Sequence, residues 1–292
     1  MYQNQYQGHY NQNMQTFDVE NPMVDPYQNQ NNKKEKKHKK HRKSSESSQS
    51  SNSSDKDLNQ NLYSSEGLSS DKYLRSGFVT KVYSILSVQM LFTVMMSAFS
   101  MSSDHFRMLQ LNNQGLMILI IIVQIVVLLV LICSRDMAKK VPTNYILLGV
   151  FTFCEGYIVG FICAFTDQKL VFMAVFMTMS IFFALTLYAC TTKSDFTLMG
   201  GFLCVLGMVL LILCLFMMFT NNKIIQIIYS SIAALMFGLY IIYDTQLIIG
   251  TKSYKYDIDD YVIASLELYM DIIGLFLQLL ELLKALQSNN SE

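Results

Sequence analysis

Seven stretches of this chain, roughly 78–101, 115–134, 145–165, 170–190, 198–220, 224–249 and 261–287, are apolar enough and long enough to cross a bilayer. A spanning helix needs about 20 predominantly apolar residues, and only helices and closed barrels satisfy every backbone polar group in lipid. The linkers between runs are short, which predicts a compact antiparallel bundle with no soluble domain inserted in it. Composition agrees: 52% of the 292 residues are hydrophobic and 15% are charged, where a soluble domain carries about 25% charged residues. The expected fold is an all-α membrane protein, a seven-transmembrane-helix bundle over 72–292, preceded by a disordered cytosolic tail over 1–71.

The tail is built from Gln, Asn, Ser, Lys and Tyr, a composition that buries too little apolar surface to offset the entropy of ordering. Its basic run at 33–43, followed by a serine-rich stretch at 44–54, reads as a segment drawn to anionic lipid and released by phosphorylation. No apolar run opens the chain, so the first span is expected to target it. Lys and Arg in the short loops set orientation. Arg135, Lys139, Lys140, Lys193, Lys252 and Lys255 fall on the tail's side, and Arg107, Lys169 and Lys223 fall opposite. The N-terminus is therefore expected in the cytosol. Three acids and a lysine in the last segment, Glu267, Asp271, Glu281 and Lys284, leave open whether it crosses or re-enters. Net charge is zero, from 22 basic and 22 acidic residues, and by itself says nothing about partners; no nucleic-acid partner is expected. The six cysteines lie in or beside apolar runs and read as small packing residues. No metal cofactor is expected from the four scattered histidines.

Three small-residue pairs, Gly156/Gly160, Gly200/Cys204 and Ala234/Gly238, mark close helix approach. The chemistry lies in acids within apolar runs, each costing about 2.5–3.5 kcal/mol at a helix centre. Glu155 sits in FTFCEGYIVG and Asp244 in YIIYDTQLIIG. In the seventh segment Asp260, Ala264, Glu267, Asp271, Gly274, Gln278 and Glu281 recur at spacings of four and three, which is one helical face. Such a stripe suits a central helix lining a pathway. Glu281 and Lys284 have the spacing of an ion pair. Carboxylates are the ligands a hard cation such as calcium prefers, and two held close titrate as a unit. Asp244 and Asp271 are the leading candidates, for a pH-sensing pair and for transient calcium contact, with Glu155 and Glu267 secondary. Whether the two aspartates meet is a tertiary question.

At these residues the chain resembles the Bax inhibitor-1 family, the transmembrane Bax inhibitor motif proteins, and in particular its lifeguard branch. The matching stretches are RSGFVTKVYSILSVQMLFT from Arg75, YACTTKSDFTLMGG, IIYDTQLIIG and YDIDDYVIASLELYMDIIGLF. The resemblance implies a bundle with the seventh helix central, and a pH-sensitive calcium leak regulating intracellular calcium and cell death. It also implies an endoplasmic reticulum or Golgi membrane and cell-death regulatory membrane proteins as partners. The family's aspartate pair falls on Asp244 and Asp271, and its basic latch on Arg135. Gly274 stands where the lifeguard pattern commonly has Asn. Calcium would be the permeant ion, and the lipid bilayer the immediate partner. Two rivals remain. One is a non-conducting scaffold acting through partner proteins. The other is an intramembrane aspartyl protease, for which the glycines expected before Asp271 are replaced by Leu268, Tyr269 and Met270. The expectation is that the protein is not an enzyme.

Overall fold

The computed structural model describes the backbone of residues 46–217, 219 and 222–290. The chain divides into two units, Met1–Leu62 and Tyr63–Glu292. In the first, the described backbone, from Glu46 onward, is helical. Helix α1 is Glu46–Ser102, α2 Asp104–Asn112, α3 Gln114–Cys133, α4 Arg135–Lys139, α5 Thr143–Ala164 and α6 Gln168–Thr191. A short 3-10 turn, Phe196–Met199, leads into α7 Gly200–Met217, followed by α8 Lys223–Ile249 and α9 Tyr261–Asn290. The described residues contain no strand. The basic run at 33–43 lies outside the described residues.

Seven of these segments are long and apolar enough to cross a membrane: Asp71–Ser102, Gln114–Cys133, Thr143–Ala164, Gln168–Thr191, Phe196–Met217, Lys223–Ile249 and Tyr261–Ser288. They coincide with the seven predicted runs. The described helical backbone of α1 reaches back to Glu46. Long apolar side chains such as Ile122, Phe176, Val205 and Leu211 stay exposed on the outer helices. In water that surface would aggregate; in a bilayer it is the ordinary exterior.

The last helix is central. In α9, 67% of the apolar window is buried, against 11% for α3 and for Phe196–Met217. Its length of about 45 Å exceeds the hydrocarbon thickness, and no break reverses it, which sets the re-entrant alternative aside. Tyr269 shows how it is held. Its ring meets Phe151 of α5 edge-on at 6.3 Å, and its hydroxyl shares a 2.7 Å hydrogen bond with Thr93 of α1.

Close approach occurs where the small pairs predict it. A Cβ on Gly156 would lie 3.3 Å from the ring of Phe92, and one on Gly160 would lie 2.7 Å from Ser100 Oγ. The GxxxG face therefore carries α1. Tyr243 Oη sits where a Cβ on Gly200 would be, at 2.6 Å, joining α7 to α8. Of the cysteines, Cys154 and Cys163 are buried, and the other four face outward.

Two short helices, α2 and α4, occupy connections read as loops from sequence. In α2, Ser103 Oγ accepts from the Phe106 amide at 3.3 Å, and buried Gln110 donates to the Tyr157 carbonyl at 3.4 Å. Nine residues are too few to hold a helix alone in water; this one forms because α5 supplies its partner.

Candidate functional site

Helices α8 and α9 run antiparallel, joined by the loop 250–260. Asp244 lies about 7 Å along the axis from the end of α8, and Asp271 about 15 Å from the start of α9. Asp244 is 4% exposed and Asp271 is 8% exposed, and their carboxyl groups lie near enough to act on each other. An ionised carboxylate only accepts, so a hydrogen bond between two carboxyls requires one proton between them. Asp271 Oδ2 has no protein partner.

Glu267, one turn before Asp271, acts on both aspartates electrostatically and accepts a short hydrogen bond from the hydroxyl of Tyr256. Tyr256 lies in the loop. Its phenol is held well above the usual range, first by burial and then by the charges of Asp244 and Glu267, so it remains a proton donor. The hydroxyls of Tyr240 and Tyr243 also lie in the field of this acidic set. The site is thus three carboxyl groups between two helices, closed on the loop side by a phenol.

The loop side is tied down by residues that the sequence did not single out. Arg75 of α1 donates through Nε to the Ile249 carbonyl at 3.2 Å, through Nη1 to the Tyr256 carbonyl at 2.6 Å, and through Nη2 to the Leu247 carbonyl. It caps the C-terminus of α8 and fastens the loop that carries Tyr256. Gly250 ends α8 at φ +70°, its N–H bonded to the Gln246 carbonyl at 3.0 Å. This is the left-handed glycine stop.

Buried Gln246 accepts from the Phe196 amide at 2.8 Å and donates to the Ser194 carbonyl at 3.0 Å. Asp195 accepts from Ser253 Oγ at 2.6 Å and from Thr197 Oγ1 at 2.5 Å. Lys252 donates to the Thr192 carbonyl at 2.9 Å. Lys139 of α4 pairs with Asp260 at 3.0 Å. The loops 192–199 and 250–260 form one clasp. Arg75, Gln246 and Asp195 all stand in the stretches that carry the family resemblance, yet nothing in one dimension shows that those stretches touch.

The secondary candidates divide. Glu267 joins the pair. Glu155 of α5 accepts from Gln124 of α3 and has no part in the α8–α9 set. The side chain of Arg135 lies outside the described residues. Glu281 pairs with Lys284 at 3.4 Å, as its spacing predicts, and also accepts from Gln226 of α8.

Residues 75–289 match the family model described as "Inhibitor of apoptosis-promoting Bax1". The chain belongs to this family. It is 33% identical over 217 residues to human Protein lifeguard 3, covering 73% of this chain and 70% of the relative. It is 35% identical over 225 residues to Protein LIFEGUARD 2 of Arabidopsis thaliana, covering 76% and 92%. With Bax inhibitor 1 of Schizosaccharomyces pombe it shares 32% over 221 residues, 75% and 80% of the two chains. Membership in the Bax inhibitor family is consistent with a role in cell-death regulation. The matched region begins at Arg75 itself, so the clasp and the acidic set both lie within it.

Proposed function

We propose that this Bax inhibitor family protein is a pH-gated calcium leak of an internal membrane, endoplasmic reticulum or Golgi, with its N-terminus in the cytosol. Its effect on cell death would follow from the calcium it releases. The observation that carries the reading is the proximity of two buried carboxyl groups, Asp244 and Asp271, on adjacent spanning helices.

With one proton shared, the two carboxyls attract and hold α8 against α9. With both ionised they repel at short range, in a medium that screens little, and Glu267 adds a third negative charge to the same place. Separation then exposes carboxylate oxygens, the donors that calcium takes in sets of about 6–8 together with water and carbonyls. Acid closes and alkali opens. Tyr256 remains neutral through this range and keeps its hydroxyl on Glu267. The orientation rests on the clasp, since the loops bearing Lys139, Lys193 and Lys252 gather at the end where α1 enters at Arg75, which is the positive side.

The test is calcium flux into proteoliposomes at two pH values. Wild-type flux should fall on acidification. Asp271→Asn should abolish the pH response, Asp244→Asn should do the same, and the double variant should match either single one because the pair acts as a unit. A normal pH response in either single variant would exclude the pair as sensor. Absence of flux at both pH values would favour the scaffold reading, in which the same acids only hold helices together.

A further inference from the structure

The polar character of the α8–α9 interface does not stop at the aspartates. On α8, Gln226, Ser230, Phe237 and Asp244 share one face, spaced four, seven and seven residues apart. On α9, Glu267, Asp271, Gly274, Gln278 and Glu281 share another, spaced four, three, four and three. Three contacts place these faces against each other along their length: Asp244 with Asp271, Phe237 with Gly274, and Gln226 with Glu281. From Asp244 to Gln226 the seam runs about 27 Å, most of the hydrocarbon thickness.

Two helices packing for stability alone would fill such a seam with aliphatic side chains. Instead it holds polar atoms without partners. Ser230 is 0% exposed and its Oγ makes no hydrogen bond; Gln278 Oε1 and Asp271 Oδ2 are likewise unpartnered. Buried polar groups are ordinarily satisfied. Oxygens lying in series between two helices are what a cation shedding water would meet.

One residue interrupts the series. The ring of Phe237 rests directly on Gly274, where an added Cβ would overlap three of its carbons. It stands about 10 Å below Asp244 and the same distance above Ser230. An aromatic ring seated on a bare glycine blocks water and ions by dewetting, and turning it aside requires no backbone movement.

We propose that the α8–α9 seam is the cation route through this protein and that Phe237, seated on Gly274, is its gate. The proposal rests on the leak reading and locates its path. The experiment measures calcium entry into proteoliposomes carrying the full chain, at the alkaline pH where the aspartate pair is ionised and the ring of Phe237 limits entry. Phe237→Ala should raise flux at least several-fold, and adding Gln278→Leu should return it towards the wild-type level by removing a lining oxygen. If Phe237→Ala is not monodisperse, Phe237→Met, which keeps the bulk but loses the rigid ring, should show the same rise.

A folded Phe237 variant with wild-type flux, beside a wild type that conducts at alkaline pH, overturns the gate and leaves the leak standing. A leak through Phe237→Ala that Gln278→Leu leaves untouched overturns the route. Silence of wild type and variant alike at every pH overturns both the gate and the leak. A silent wild type with a conducting Phe237→Ala supports the gate.

Discussion

Arg75 illustrates how one side chain joins elements far apart in sequence. Its fork reaches three carbonyls across Leu247, Ile249 and Tyr256 while its guanidinium lies 4.6 Å from the ring centroid of Phe78. The last carbonyls of a helix have no intrahelical donor, and a planar cation with five N–H groups meets several at once where lysine meets them one at a time. Hydrogen bonds to charged groups contribute about 1.5–3 kcal/mol each. Arg75→Lys should therefore cost about 2 kcal/mol, and Arg75→Ala should cost more. The check is the thermal midpoint of the detergent-solubilised protein; an unchanged midpoint for Arg75→Ala would show that the cap is idle. Gly250 is constrained twice, by its positive φ and by the guanidinium that occupies the place of a Cβ.

Between elements, the clasp of the loops 192–199 and 250–260 depends on Asp195. Hydrogen bonds from Ser253 and then Thr197 hold its carboxyl at about 2, below its ordinary value of 3.8. A depressed folded value means that the contribution is complete above the ordinary value and is lost as pH falls through the folded one. The clasp should accordingly hold at pH 5 and release only as the pH drops towards 2. Asp195→Asn replaces one acceptor oxygen with a donor facing donors, and should loosen both loops at neutral pH. Limited trypsin digestion reads this at Lys193 and Lys252. Cleavage there should be faster in Asp195→Asn than in wild type, and equal rates would refute the coupling of the two loops. The clasp is also joined to the acidic set, since Tyr256 belongs to the clasp and Glu267 to the site.

At the scale of the whole molecule, the central position of α9 lets one helix touch α1, α5, α6 and α8 while the outer helices meet lipid. Protease added to intact microsomes should remove the N-terminal tail and leave the membrane core, with Lys169 and Lys223 protected until the membrane is opened. A protected tail would reverse the orientation.

Seven spans were legible because each apolar run must exceed a length set by the bilayer, a constraint that acts on consecutive residues. The acidic face of α9 was legible for a similar reason, since helical spacing places 267, 271, 274, 278 and 281 together whatever surrounds them. The small-residue pairs were readable too, because close backbone approach needs the missing side chain itself. What α8 and α9 do to each other was not readable. That Asp244 meets Asp271 while Glu155 goes to Gln124 depends on which helices are neighbours, and no spacing within one helix encodes that. The role of Arg75 depends on the end of α8 lying beside it, and that of Phe237 on Gly274 lying under its ring; neither is encoded in its own stretch of chain. Helical periodicity is local and survives in the linear chain; contacts between residues a hundred or more positions apart exist only once the apolar surfaces have chosen their partners.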